Sequence, residues 1–218
     1  MSFTHTHPYP PFNLEGAQKI IVGTLPPPRF TTGVLKTGDV NFSYGSIDGQ
    51  LWPILDKIFS LGLVYEDTAR AIEQRQSFLK SRNIGICDIV AEAQRDKIDA
   101  SDIGMQSVRL REIFSVLTKH PNINTLLFTG GNSKNGPEYF FRRKAKEHKI
   151  HLEVVSNEVP RIHQFTWQGR TIKTISLTAP SGAANRAVGA IPLYKKLKAQ
   201  DPKFNTLDFR VLQYTPFF

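Results

Sequence analysis

"KIIVGTLPPP", residues 19–28, is the stretch on which the fold turns. Ile20, Ile21 and Val22 follow one another with no polar residue between them, so the segment reads as a short strand buried on both faces. Gly23 and the prolines at 26, 27 and 28 end it, because proline has no N–H to give to a ladder. Three later segments repeat this pattern of an apolar run with a small or polar exit. "NIGICDIV" (83–90) ends near Asp88, "INTLLFTGG" (123–131) ends in glycines, and "TIKTISL" (171–177) runs into "TAPSGAANR" (178–186). Segments with helical spacing lie between and after them: 51–62, with Leu51, Ile54, Leu55, Ile58 and Phe59 on one stripe; 67–82; 107–120, with Val108, Ile113, Phe114 and Leu117; 137–148; and 185–199, with a kink expected at Pro192. "HLEVV" (151–155) reads as an outer strand, and 161–178 as a hairpin turning at Gln168–Gly169. Residues 25–46 read as a long loop, a feature often tied to function. Strands alternating with helices predict an α/β domain with a mainly parallel sheet. One domain over 1–218 is expected, with 1–16 as an extended N-terminal arm.

Composition narrows the classes. The 218 residues are 40% hydrophobic, enough for one sizeable core, and Phe 15, Tyr 6 and Trp 2 exclude a disordered composition. No apolar run approaches the roughly 18 residues of a membrane span. The N-terminus lacks the charged and apolar regions of a signal peptide. A cytoplasmic protein is therefore expected, and the single Cys87 agrees, since one thiol builds neither a disulfide framework nor a four-thiolate cluster. The formal charge of +9 favours polyanions, nucleic acid first. No His/Cys/Asp/Glu cluster has metal spacing. His5 and His7 fall in the arm, which is expected to be mobile and a poor source of ligands.

Ligands of parallel sheets bind outside the carboxyl ends of the strands. The candidates are thus "GTLPPP", Asp88, "TGGNSKN" and "APSGAANR". Ser181 or Asn185 at one helix start, and Asn132 or Ser133 at another, would leave backbone N–H groups free for an anion such as phosphate. The chain has no P-loop and no Gly-x-Gly-x-x-Gly fingerprint. The small side chains of "APSGAAN" let something large approach the backbone.

Taken in order, "IIVGTLPP … YGSIDGQLW … NIGICDIV … LLFTGG … LTAPSGAANR" resembles the uracil-DNA glycosylase superfamily, and is most similar to its mismatch-specific and hypoxanthine-DNA glycosylase branches. The matching residues are Gly23–Pro26, Tyr44, Leu51–Trp52 and Pro180–Ser181, spread over residues 19–199. The resemblance implies a three-layer α/β/α sandwich around a central, mainly parallel four-stranded sheet. It also implies hydrolysis of a base–sugar bond on a base extruded from DNA. Tyr44, eight positions before Trp52, would stack on that base. Gly23, Thr24, Leu25 and Asn132 would line its edge. Ser181, Gly182, Asn185 and Arg186 would meet the DNA backbone. In those branches a catalytic Asn stands three residues into the Gly-x-Asn-Pro turn or three before the Trp; here the positions hold Leu25 and Gly49.

Asp48, beside the second of these positions, is the catalytic candidate, as general base or as stabiliser of an oxocarbenium-like centre, with a helix cap as its structural alternative. Asp88 is a second candidate. The expected activity is removal of a uracil- or hypoxanthine-like base by a monomeric enzyme. Water is its nucleophile, so no cofactor and no metal are called for, and DNA is its partner. Two other readings stay open: a glycosylase-fold protein that grips DNA or a base without cleaving it, and an α/β enzyme acting on a free nucleoside or another small anion.

Overall fold

The computed structural model describes residues 2–218. In chain order the elements are β1 (Phe3–Thr6), β2 (Lys19–Val22), α1 (Arg29–Thr32), α2 (Leu51–Phe59), α3 (Ala69–Ser81), β3 (Ile84–Ile86), β4 (Val90–Arg95), β5 (Gln106–Leu110), α4 (Ile113–Lys119), β6 (Thr125–Phe128), α5 (Pro137–Glu147), β7 (Glu153–Ser156), β8 (Arg161–Trp167), β9 (Arg170–Ser176), α6 (Asn185–Ala190), α7 (Pro192–Gln200) and α8 (Thr206–Tyr214). The protein is α/β, with a six-stranded mixed sheet in the order β3-β2-β6-β9-β8-β7 and a separate three-stranded antiparallel sheet, β1-β4-β5.

The apolar runs form the parallel part. β2 pairs in parallel with β3 and β6, and β6 with β9. Side chains alternate across a strand, so neighbours in one run serve two cores. Ile20, Val22, Leu126 and Phe128 pack with Phe114, Leu117, Phe140 and Phe141 of α4 and α5. Ile21 and Leu127 pack on the other face with Trp52, Ile54 and Leu55 of α2, Phe78 and Leu79 of α3, and Tyr214 of α8. The sheet has six strands rather than four, because β8 and β7 extend it antiparallel beyond β9. The β8–β9 turn falls at Gln168 and Gly169, both at positive φ (49° and 75°), as a two-residue hairpin of the right twist requires.

Four expectations are corrected. The N-terminal arm is not free: β1 pairs antiparallel with β4, and His5 and His7 are buried. The segment 107–120 is not one helix. Its first part is β5, because Val108 and Leu110 are two apart and both pack on the core, a spacing that a helical stripe hides. The loop 25–46 contains the short α1. The helix 185–199 is two helices, since the extended Ile191 precedes Pro192 at the first turn of α7. Beyond residue 199, α8 opens with a capping box between Asn205 and Asp208, a helix start the sequence reading left unassigned.

Candidate functional site

Because β2, β3, β6 and β9 run parallel, their exits converge. The chain after each of them contributes to one cleft of about 410 Å3: Thr24 and Leu25 after β2, Asp88 after β3, Thr129 after β6, and 179–182 after β9. The 44–51 segment and the β4–β5 connection, through Ala100 and Asp102, close its sides. No helix among the described residues is long and apolar enough to cross a membrane. Among the same residues no group of three metal-ligating side chains comes together.

Tyr44 and Asp88 meet at the cleft. Tyr44 Oη donates to Asp88 Oδ1 at 2.5 Å, and the backbone N–H of Gly23 donates to the same oxygen at 2.6 Å. The other carboxylate oxygen, Oδ2, lies 2.9 Å from His7 Nε2. The Tyr9 N–H donates to His7 Nδ1 at 3.1 Å, so Nδ1 is the acceptor nitrogen and Nε2–H the donor to Asp88. Burial, reinforced by the Asp88 charge, raises the Tyr44 phenol well above its ordinary pKa, so it keeps its proton for that bond. The backbone at Tyr44 is left-handed, with φ at 60°. Trp52 anchors the segment leading into it: the buried indole donates from Nε1 to the Ser43 carbonyl at 2.9 Å. Gly23 has no side chain for a steric reason, since a Cβ there would collide with Tyr44 Oη and reach 2.9 Å from both Asp88 Oδ1 and Thr129 Oγ1.

A second carboxyl group lines the cleft, and the sequence reading missed it. Asp102 Oδ1 accepts from Thr24 Oγ1 at 2.6 Å. Burial pushes the Asp102 carboxyl up to about 6; the Asp88 charge acts in the same direction, against the Thr24 hydroxyl and Arg95. Its segment, "DASDIG" (99–104), has the composition of any polar turn, so only the tertiary fold reveals it.

The remaining predicted residues are spread around this centre. Asp48 lies at the cleft edge with its side chain 63% exposed, 3.0 Å from Lys36 Nζ and 3.2 Å from Arg29 Nη2. It does not cap α2, whose N-cap is Gln50. Leu25 and Ser181 line the cleft, and Gly182 faces open space, with nothing within 4 Å of the point where a Cβ would stand. The Gln50 N–H donates to the Pro180 carbonyl at 2.8 Å, so the 179–183 loop is tied to the segment behind Tyr44. Asn185 turns inward: its Oδ1 accepts from Arg210 Nη1 at 2.8 Å and from Thr206 Oγ1 at 3.0 Å. Arg186 is exposed. Asn132 is exposed on the loop after β6; it does not line the cleft, and the N-cap of α5 is Gly136.

No family model matches the chain, and no curated protein or solved structure matches it either. Function is therefore read from the cleft itself.

Proposed function

We propose that the protein is a monofunctional DNA glycosylase of the uracil-DNA glycosylase type, with the three-layer α/β/α plan of that superfamily, hydrolysing the bond between a deaminated or damaged base and its sugar. The observation that carries this reading is the Tyr44–Asp88–Gly23 constellation in a cleft where four parallel strands end. A tyrosine locked by its hydroxyl offers a fixed aromatic platform to a base taken out of the stack. The backbone at Thr24 and Leu25 faces the base edge. The catalytic role expected of Asp48 passes to Asp88, which sits within the cleft and not in an exposed pair of cations. There its carboxylate orients a water toward the sugar C1′ and accepts that water's proton. The 179–183 loop, with almost no side-chain volume, admits a phosphodiester chain, and Arg186 neutralises it. The +9 charge suits that partner, and a monomer acting in the cytoplasm without a cofactor fits the reading.

The second reading, a binder that does not cleave, is favoured by one feature: Leu25 and Gly49 occupy the positions where the similar branches carry their Asn. One assay separates the two. Oligonucleotides carrying uracil, hypoxanthine, xanthine or mismatched thymine are incubated with the protein and tested for alkali-labile sites. Site formation on at least one of them supports the enzyme. Retention of lesion DNA with no base released supports the binder.

A further inference from the structure

We propose that Asp102 is the acid that protonates the departing base, and that the substrate base is therefore a purine whose imidazole nitrogen takes that proton. In this role Asp102 supplies the leaving-group half of the glycosylase reading above, on which it rests.

The geometry fixes the group at three points. Asn135 Nδ2 donates to the Asp102 carbonyl at 2.9 Å, buried Arg95 holds the preceding Ser101 carbonyl from Nη1 at 2.7 Å, and Thr24 Oγ1 occupies Asp102 Oδ1 at 2.6 Å. Among the described residues no protein donor reaches Oδ2, and Asp102 is one of the residues that line the cleft. The charged groups facing the carboxyl are Asp88, across the cleft residues, and Arg95, which is itself 3.6 Å from Asp99. With its pKa raised to about 6, the carboxyl holds a proton below that pH and loses it as pH rises through it.

The reaction balances with the two carboxyl groups and one water. As the C1′–N9 bond breaks, its electron pair goes to the base and Asp102 Oδ2 gives its proton to N7. Water forms a new O–C1′ bond, and its spare proton goes to Asp88. The base leaves neutral. One proton then passes through solvent from Asp88 to Asp102, which restores both groups. A pyrimidine such as uracil has no ring nitrogen to receive the proton in this way.

Single-turnover base release tests the proposal. Duplexes carry hypoxanthine, 7-deazahypoxanthine or uracil, and are treated with wild-type protein and with Asp102→Asn between about pH 5 and about pH 8. Wild type should release hypoxanthine with a rate that falls about tenfold per pH unit above about 6. Asp102→Asn keeps the shape and a hydrogen-bond donor but has no acid proton. It should lose about 10²-fold or more and show a flat profile. 7-Deazahypoxanthine, lacking N7, should be released slowly by both proteins. Equal release of hypoxanthine by the two proteins, equal release of the 7-deaza base by wild type, or release of uracil alone would each overturn the role of Asp102 and leave the glycosylase reading standing. Release of no base from these duplexes, nor from ones carrying xanthine or mismatched thymine, would overturn both. A melting curve of Asp102→Asn accompanies the assay; if that variant does not fold, the 7-deaza comparison on wild-type protein decides alone.

Discussion

Tyr44 occupies a conformation that costs a non-glycine residue on the order of 1–3 kcal/mol, and the loop around it holds it there. Such strain is tolerated where a side chain must be aimed, and here the aim is set by the bond to Asp88 over the bare backbone of Gly23. Gly23→Ala should therefore expel the tyrosine hydroxyl while leaving the strand intact. The expected outcome is a folded variant by circular dichroism whose affinity for lesion DNA falls by about 1–3 kcal/mol, the worth of one base–aromatic stack. Unchanged affinity would mean that the ring does not touch the base. Gly23 was legible as a glycine at a strand exit, whereas Tyr44 was singled out only by the resemblance to the glycosylase branches; that both meet at Asp88 is visible in the fold alone. The places of His7 and Asp102 were not legible, since His7 reaches Asp88, and Asp102 the cleft, only through pairing of β1, β4 and β5, contacts far apart in the chain.

Two elements hold the cleft walls, and both depend on buried arginine or aspartate chemistry. Arg210 of α8 is fully buried, and no acidic side chain forms an ion pair with it among the described residues. It donates from Nε to the Ala179 carbonyl at 2.9 Å and from Nη2 to the Ser181 carbonyl at 3.0 Å, and so pins the small-residue loop. Tyr214 and Gln213 of the same helix clamp Thr178. Arg210→Leu should leave those carbonyls without donors, lower stability by about 2 kcal/mol in a urea titration, and speed amide exchange at 178–185 before that of the sheet. On the other wall, Asp39 organises the 29–48 loop: it accepts from Arg29 Nε at 2.7 Å, Arg29 Nη2 at 2.9 Å, and the Lys36 and Ile47 N–H groups, each at 2.8 Å. Burial alone would raise this carboxyl, but the Arg29 guanidinium and the two backbone donors outweigh it and hold it down to about 2. A depressed acid stabilises the fold above its unfolded pKa, near 4, and that stability is lost as pH falls toward 2. The loop carrying Tyr44 should thus loosen over that acid window, seen as faster amide exchange at 36–48, and Asp39→Asn should abolish the pH step. Both wall segments were legible in the sequence as candidates, but the residues that hold them, Arg210 and Asp39, were not. An arginine inside an amphipathic helix looks like its polar face, and an aspartate in a Gly-rich loop looks like a turn residue.

At the scale of the whole molecule, the sheet's parallel half was plain from four apolar runs, and so was the convergence of their exits. The antiparallel extension was also readable, as an outer strand and a hairpin, though it was not counted into the sheet; the small second sheet was harder, because β5 is exposed, carries a charged residue and overlaps a helical spacing. The basic balance adds one expectation: affinity for DNA should fall steeply as salt rises, since each Lys or Arg contact with phosphate releases counterions. A salt-independent affinity would remove the backbone-binding role proposed for the 179–186 rim. The central claim is that this cleft cuts a base from DNA, with Asp88 directing the water. The measurement that tests it most directly is single-turnover base release by wild type and by Asp88→Asn, with equilibrium binding of the same lesion DNA measured on the same preparations. The account predicts that wild type releases the base, and that Asp88→Asn binds within a few-fold of wild type but releases it about 10²–10⁴-fold more slowly. Release by Asp88→Asn at the wild-type rate would contradict it.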